Sequence, residues 1–262
     1  MDLNFQGKYA LVCGSTQGIG KAVAIGLANS GANIILLSRD EEKLKIVLSE
    51  LNTAYHQHHT YIACDFSDPE KLKSSIENYL QNNPAIHILV NNTGGPPAGP
   101  VGNANTSDFL SAFNNHLICN HILAQAIIPG MKNEKYGRII NIISTSVKQP
   151  IPGLGVSNTI RAAVANWSKT LAGEVAQFGI TVNNVLPGAT NTVRLQAIFE
   201  NKATKTGKSI DEIKQEMLDE IPAKRFAEAN EIANAVVFLA SPAAAYITGI
   251  NVPVDGGRTS SL

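Results

Sequence analysis

Seven short runs rich in Val and Ile, separated by stretches of helical period, constrain this chain more than any other feature. The runs cover residues 9–13, 33–38, 61–64, 86–90, 138–143, 181–186 and 251–254. They show little polar alternation, which is the pattern of strands buried on both faces. Between the first two, Ile19, Ala22, Val23, Gly26 and Leu27 share one helix face. Between the third and fourth, Asp68 and Pro69 read as the cap and first position of a helix with a buried stripe of Leu72, Ile76, Tyr79 and Leu80. The alternation predicts an α/β fold: a doubly wound parallel sheet of about seven strands with helices on both faces.

The 262 residues, 44% of them apolar, suffice for one large core. With no linker-like break or repeat, residues 1–262 are expected to form a single domain. Between 186 and 252 lie two helical patterns, at 209–219 and 230–240. Residues 190–207 have little apolar periodicity and read as a loop or mobile flap. In α/β folds such excursions leave the carboxyl ends of strands, where ligands bind. A substrate lid is therefore expected around 188–225.

Charge gives no pointer to nucleic acid or an anionic membrane, because 21 Lys+Arg balance 21 Asp+Glu. Cys13, Cys64 and Cys119 form no close pair and leave one over, which fits a reducing compartment better than a disulfide framework. The opening MDLNFQGKYALV lacks the basic and apolar regions of a signal peptide, and no run has the length of a membrane span. A soluble cytoplasmic protein is the expectation.

Directly after the first run comes Gly14-Ser15-Thr16-Gln17-Gly18-Ile19-Gly20, opening a helix. Glycines permit a tight turn and close approach of the backbone to a pyrophosphate, whose charge the helix N-terminus favours. The spacing is GxxxGxG, not GxGxxG. A nucleotide-triphosphate loop does not fit, since Ala22 stands where Ser or Thr would hold Mg²⁺.

This turn resembles that of the short-chain dehydrogenase/reductase superfamily, and further landmarks follow at the family's intervals. Asn91-Asn92-Thr93-Gly94 is similar to the NNAG that supports the cofactor cleft, and Asn141-Ile142-Ile143-Ser144 to the strand end bearing the catalytic serine. Pro187-Gly188 matches the turn beside the nicotinamide, and Asp255-Gly256-Gly257 the usual C-terminal signature. The resemblance covers essentially the whole chain and is strongest to 3-oxoacyl-acyl-carrier-protein reductase-like members. It implies a Rossmann-type fold and an oxidoreductase acting on a small carbonyl or alcohol substrate.

By that resemblance the cofactor lies on Gly14, Ser15, Thr16, Gln17, Gly18, Ile19 and Gly20, on Asn91, Thr93 and Gly94, and on Pro187, Gly188, Thr190 and Thr192. Asp65 and Phe66 resemble the adenine-edge contact. At the end of the second strand, an acid selects NAD by binding the ribose 2′-OH, whereas Arg accommodates the 2′-phosphate of NADP. Ser38 and Arg39 occupy that position, and Asp40 comes one residue too late. NADP(H) is expected, with NAD as the alternative.

The catalytic pattern departs from the family's. Counting 13 residues from Ser144, the YxxxK tyrosine and lysine are replaced by Ser157 and Arg161, and the family's relay asparagine by His116. A serine hydroxyl is shorter and far less acidic than a phenol. Arg161 keeps the positive charge but cannot be deprotonated. The expected roles are Ser144 polarising the substrate oxygen, Ser157 relaying a proton through water, Arg161 holding the nicotinamide ribose, and His116 completing the relay. Two other readings stand beside this: an inert NADP(H)-binding sensor or scaffold, and a lyase or isomerase with His116 as base.

His56, His58 and His59 read as a solvated loop, and no metal is expected. The run Gly94-Gly95-Pro96-Pro97-Ala98-Gly99-Pro100 reads equally as a stiff cleft wall or a connector. The helical patterns at 107–131 and 153–178 resemble the family's subunit-interface pair, so a homodimer or homotetramer is expected.

Overall fold

The computed structural model describes residues 2–261. All seven expected strands are present: β1 (Tyr9–Cys13), β2 (Asn33–Ser38), β3 (Thr60–Ala63), β4 (Ile88–Asn91), β5 (Gly137–Ile142), β6 (Ile180–Pro187) and β7 (Asn251–Val254). They pair in parallel in the order β3-β2-β1-β4-β5-β6-β7. The order reverses between β1 and β4, and a crevice opens at such a switch point because the crossovers leave in opposite directions.

Side chains along β1 alternate between two buried layers. Ala10 and Val12 join the layer built on α1 (Gly18–Asn29) and α9 (Ala229–Ala240), with Val23, Leu27, Ile232 and Val236. Leu11 and Cys13 join the other, with Leu72 and Ile76 of α3 (Pro69–Asn82), Leu123 and Ile127 of α5 (Cys119–Glu134), and Val175 of α6 (Gly155–Val175). Each such side chain contributes about 1.5–3 kcal/mol on burial. Asp68 caps α3 as expected, accepting from the Lys71 amide at 3.0 Å. Asp40 does the same for α2 (Glu41–Glu50), accepting from the Lys43 amide at 3.1 Å.

An asparagine ladder crosses four strands. Asn91, Asn141, Asn184 and Asn251 stand in register on β4, β5, β6 and β7. Asn91 Nδ2 donates to Asn141 Oδ1 at 2.8 Å, Asn141 Nδ2 to Asn184 Oδ1 at 3.0 Å, and Asn184 Nδ2 to Asn251 Oδ1 at 2.8 Å. Asn141 Nδ2 also donates to the Ser168 hydroxyl of α6 at 2.9 Å.

Two expectations need correction. Residues 190–207 do not form a loop: Val193–Thr206 is helix α7, capped by Thr192 and ended at Gly207, whose φ is 72°. Its apolar face is only the Leu195–Phe199 pair with Ala203. That stripe suffices because α7 packs on Ile213 and Met217 of α8 (Ile210–Asp219) and on Phe226, away from the sheet. The pattern at 107–131 is not one regular helix either. Asn114–Ile118 forms a π turn between α4 (Thr106–Phe113) and α5, so one residue is accommodated out of α register at His116. Among the described residues no helix is long and apolar enough to cross a membrane.

Candidate active site

A cavity of 580 Å³ lies over the carboxyl ends of β1, β2, β3 and β4. One wall is the glycine turn, where Gly14, Thr16, Gln17, Gly18 and Ile19 face the space. Gly14 and Gly18 have φ of 58° and 54°, conformations that L side chains rarely adopt. Gly20 serves packing: a Cβ there would lie 2.2 Å from Gly14 O. Gln17 stands at the N-cap of α1 without a side-chain capping bond, so the first amides of α1 have no side-chain partner there.

Asn92 holds the turn against β4, its Nδ2 donating to the carbonyls of Cys13 and Gly14 at 3.3 Å each. Its neighbour Asn91, a cofactor contact by resemblance, is not among the residues that line the cavity. Asn91, the last residue of β4, is buried in the ladder, whereas Asn92, just past the strand end, lines the cleft. Ser15 is likewise fully buried, 3.5 Å from Leu37 O.

At one end of the cavity stand Thr16, Ser38, Arg39, Asp65 and Phe66, joined by Lys43. The Thr16 and Ser38 hydroxyls are 3.5 Å apart. Arg39 is largely exposed and reaches Asp65 at 3.8 Å, while Lys43 pairs with Asp40 at 3.0 Å. Lys43, in the first turn of α2, was missed from sequence; its ion pair with the cap residue Asp40 holds it beside this end of the cavity.

At the other end, Thr93, Gly94, Gly95, Thr192 and Arg194 line the wall. Gly94 has nothing within 4 Å of an added Cβ, so any side chain there would enter the cleft. Arg194 of α7 donates to Gly95 O at 3.2 Å and Pro96 O at 3.5 Å, which ties the start of α7 to the glycine–proline run. Pro187, Gly188 and Thr190 do not line this cavity. They shape the exit from β6, where Thr190 Oγ1 donates to Gly188 O at 3.1 Å and a Cβ on Gly188 would meet Asp255 Cα at 2.7 Å.

Behind Thr93 sits His116 of the π turn, with Nδ1 at 2.5 Å from Thr93 Oγ1. Burial, reinforced by the nearby charges of Arg161 and Arg194, pushes the imidazole pKa down to about 2. His116 is therefore neutral and a weak base. Arg161 is buried on α6 and donates from Nη1 to Ile142 O at 2.8 Å. That bond holds the turn bearing Ser157 and Arg161 against the end of β5, two residues before Ser144. Ser157 is buried in the first turn of α6. Ser144 caps the turn Thr145–Val147, its Oγ accepting from the Ser146 amide at 3.1 Å. None of the six tyrosines lines the cavity.

Among the described residues, no group of three or more His, Cys, Asp or Glu is placed to hold a metal ion. His59 is tied into the fold, with Nδ1 accepting from Ile34 N at 3.0 Å and Nε2 2.9 Å from Asn52 O.

The sheet order, the glycine turn at its switch point and the Ser144 strand end define a Rossmann-type α/β protein of the oxidoreductase kind. More particularly, the chain belongs to the short-chain dehydrogenase/reductase superfamily. Residues 14–259 match the family model described as enoyl-(acyl carrier protein) reductase. The chain is 33% identical over 257 residues to the 3-oxoacyl-acyl-carrier-protein reductase FabG of Vibrio harveyi, covering 97% of this chain and 98% of that one. It is 30% identical to the NADPH-dependent reductase BacG of Bacillus subtilis, covering 97% and 98%. Among solved structures, L-sorbose reductase of Gluconobacter frateurii, complexed with NADPH and L-sorbose, superposes with a TM-score of 0.93 at 32% identity, with 100% of both chains covered.

Proposed function

We propose that this chain is an NADP(H)-dependent oxidoreductase that interconverts a carbonyl and an alcohol on a small molecule. The observation that carries this reading is one cavity with Thr16, Ser38, Arg39 and Lys43 at one end and Thr93, Thr192 and Arg194 at the other. The first group suits a ribose 2′-phosphate, with cationic donors beside two hydroxyls. The open space at Gly94 and the free amides of α1 suit the nicotinamide half and the pyrophosphate. Similarity to a structure complexed with NADPH and to an NADPH-dependent reductase supports the same choice.

When bound, NADP(H) supplies or accepts the hydride at the nicotinamide C4. The chain's own residues do the rest. Ser144 presents its hydroxyl to the substrate oxygen, and Ser157 passes a proton through water. Arg161 fixes the ribose hydroxyls, while His116, neutral and bonded to Thr93, orients the wall rather than removing a proton. Replacing a positioned phenol by a serine hydroxyl costs about 10²–10⁴-fold in proton transfer. Orientation on its own removes about 7–11 kcal/mol of barrier, so slow turnover survives.

Residues 188–225 serve as the substrate lid of a one-domain enzyme, since α7 and α8 pack on each other apart from the sheet. Exposed Leu110 and Phe113 on α4 suit burial in a homodimer or homotetramer. The three buried free cysteines suit the reducing cytoplasm.

The test is calorimetric titration with NADPH and NADH, followed by a carbonyl panel read by NADPH absorbance, in the wild type and Ser144→Ala. Tight NADPH binding with turnover that falls about 10²-fold or more in the variant supports the reading. The absence of NADPH binding would overturn it. An inert sensor is the second reading, favoured by the engagement of Ser144 as a cap and Arg161 by a backbone carbonyl. It predicts tight NADPH binding with no turnover on any carbonyl.

A further inference from the structure

A second cavity, of 440 Å³, shares no lining residue with the first. One wall is Thr145, which follows Ser144 in the chain, together with the Pro150-Ile151-Pro152 segment that leads toward α6. This wall is rigid. Its prolines fix their own φ angles, and Ile151 O accepts from Asn158 Nδ2 at 2.9 Å and from Leu154 N at 3.2 Å. Another wall is the segment after β7, with Arg258 and Thr259. Hydrogen bonds hold that segment in place: Thr259 N donates to Asp255 Oδ2 at 2.8 Å, and Ser260 N and Oγ donate to Gln149 Oε1 at 3.3 and 3.1 Å. Gln149 itself lines the cavity, and with its oxygen so engaged its amide offers donors.

The α7–α8 pair completes the cavity with Lys202 of α7 and Glu220 at the end of α8. Arg258 pairs with Glu220, so that cation is matched inside the cavity. Lys202 is not matched: among the described residues it has no acidic group within salt-bridge distance. The cavity therefore carries one positive charge in excess. A ligand that fills it takes water from the Lys202 ammonium, and an anion restores what is lost with a charge-assisted hydrogen bond.

We propose that this cavity binds the far end of the substrate, and that Lys202 takes a carboxylate there, selecting oxo or hydroxy acids whose carboxylate stands several carbons from the reacting carbon. The inference rests on the oxidoreductase reading and specifies its substrate class. Thr145 sets the reacting end, because it adjoins Ser144 and lines the same cavity. Lys202 sets the other end. It lies about 12 Å along α7 from Arg194, the last residue of that helix to line the first cavity. The hydrocarbon between the two ends runs along Pro150, Ile151 and Pro152, which bring no charge. One excess positive charge suits a monocarboxylate, whereas a phosphate dianion would set a second negative charge near Glu220. Gln149 and Thr259 supply uncharged donors to the same group.

The probes are 5-oxohexanoate and 7-oxooctanoate, each with its uncharged amide as control. They are titrated calorimetrically into the NADP⁺-saturated wild type, Lys202→Gln and Lys202→Arg. The wild type is expected to bind at least one acid about tenfold or more tightly than its amide, the range of one charge-assisted hydrogen bond. Lys202→Gln should abolish that preference, and Lys202→Arg should restore it to within about threefold, because the charge returns. NADPH affinity should stay within about twofold in both variants, since Lys202 lies outside the first cavity. The proposal is overturned if neither acid binds, if acid and amide bind the wild type alike, or if Lys202→Gln keeps the preference. Tighter binding of inorganic phosphate than of either acid would also overturn it. If the protein takes no NADPH, the oxidoreductase reading fails, and the acid-against-amide titration on the protein alone still decides the carboxylate site.

Discussion

Thr93 Oγ1 lies 2.5 Å from Nδ1 of His116, joining the residue that follows the β4 asparagines to the π turn between α4 and α5. The contact places a buried imidazole directly behind the cleft wall. Its neutrality follows from burial first and from the Arg161 and Arg194 charges second. Thr93 thus has a fixed partner on the side away from the cavity.

This neutrality makes His116 a source of acid sensitivity. In the unfolded chain a histidine takes its proton near pH 6.5, whereas in the fold His116 does so only near pH 2. Stability is complete above pH 6.5 and is lost as pH falls toward the folded value, at about 1.4 kcal/mol per pH unit, or about 2 kcal/mol by pH 5. His59 and His87 are shifted in the same direction by burial. Urea unfolding of wild type and His116→Asn at pH 7 and pH 5 isolates the His116 share. An identical pH dependence in both proteins would refute the assignment.

Nucleotide choice is expected to lie with Arg39 and Lys43. Arg39→Ala should weaken NADPH roughly 10–100-fold, the range of one or two charge-assisted hydrogen bonds, and leave NADH unchanged. Lys43→Ala should act in the same direction but less, because Lys43 is shared with Asp40. Equal losses for NADPH and NADH would place the 2′-phosphate elsewhere.

The asparagine ladder should be worth more than its exposed counterparts. Asn141→Ala leaves Asn91 Nδ2 and the Ser168–Asn184 pair without their central partner. Each buried orphan costs about 1–3 kcal/mol, so a loss of about 2–5 kcal/mol is expected in chemical unfolding. A change below about 1 kcal/mol would show that water replaces the ladder.

The α7–α8 pair should loosen on its own. Phe199→Ala removes the ring that sits 5.5 Å from the Phe226 ring and fills the cluster with Leu195, Ile213 and Met217. Large-to-small changes in a core cost about 3–5 kcal/mol, here borne by α7 and α8. Hydrogen exchange is expected to rise in residues 193–219 and remain unchanged in β1, β4 and β5. A rise across the sheet as well would show that the α7–α8 pair and the sheet open together.

Much of this protein was readable before any coordinate. The continuous apolar runs at 9–13 and 33–38, the Asp68-Pro69 helix start and the glycine turn are signals carried by neighbouring residues, so the doubly wound sheet and the turn at its switch point followed from local pattern. The end of β2 was equally legible, because Ser38 and Arg39 come at a fixed distance in the chain from the turn they face. Residues 190–207 misled because α7 needs only Leu195, Phe199 and Ala203 to pack on a small neighbour, and so thin a stripe resembles a loop.

The sequence by itself determined the order of elements, the glycine turn and the chemical identities at positions 144, 157 and 161. What only the tertiary structure decided was which of those groups are free. Asn91 and Asn92 are adjacent in the chain, yet strand register sends one into the ladder and the other to the cleft. Arg138 and Arg161 are both buried, yet Arg138 is enclosed by three carbonyls and Arg161 keeps an unused donor. The physical reason is the same in both cases. Hydrogen-bond satisfaction depends on partners far away in sequence, and these meet only when the sheet sets its register and the helices close over it.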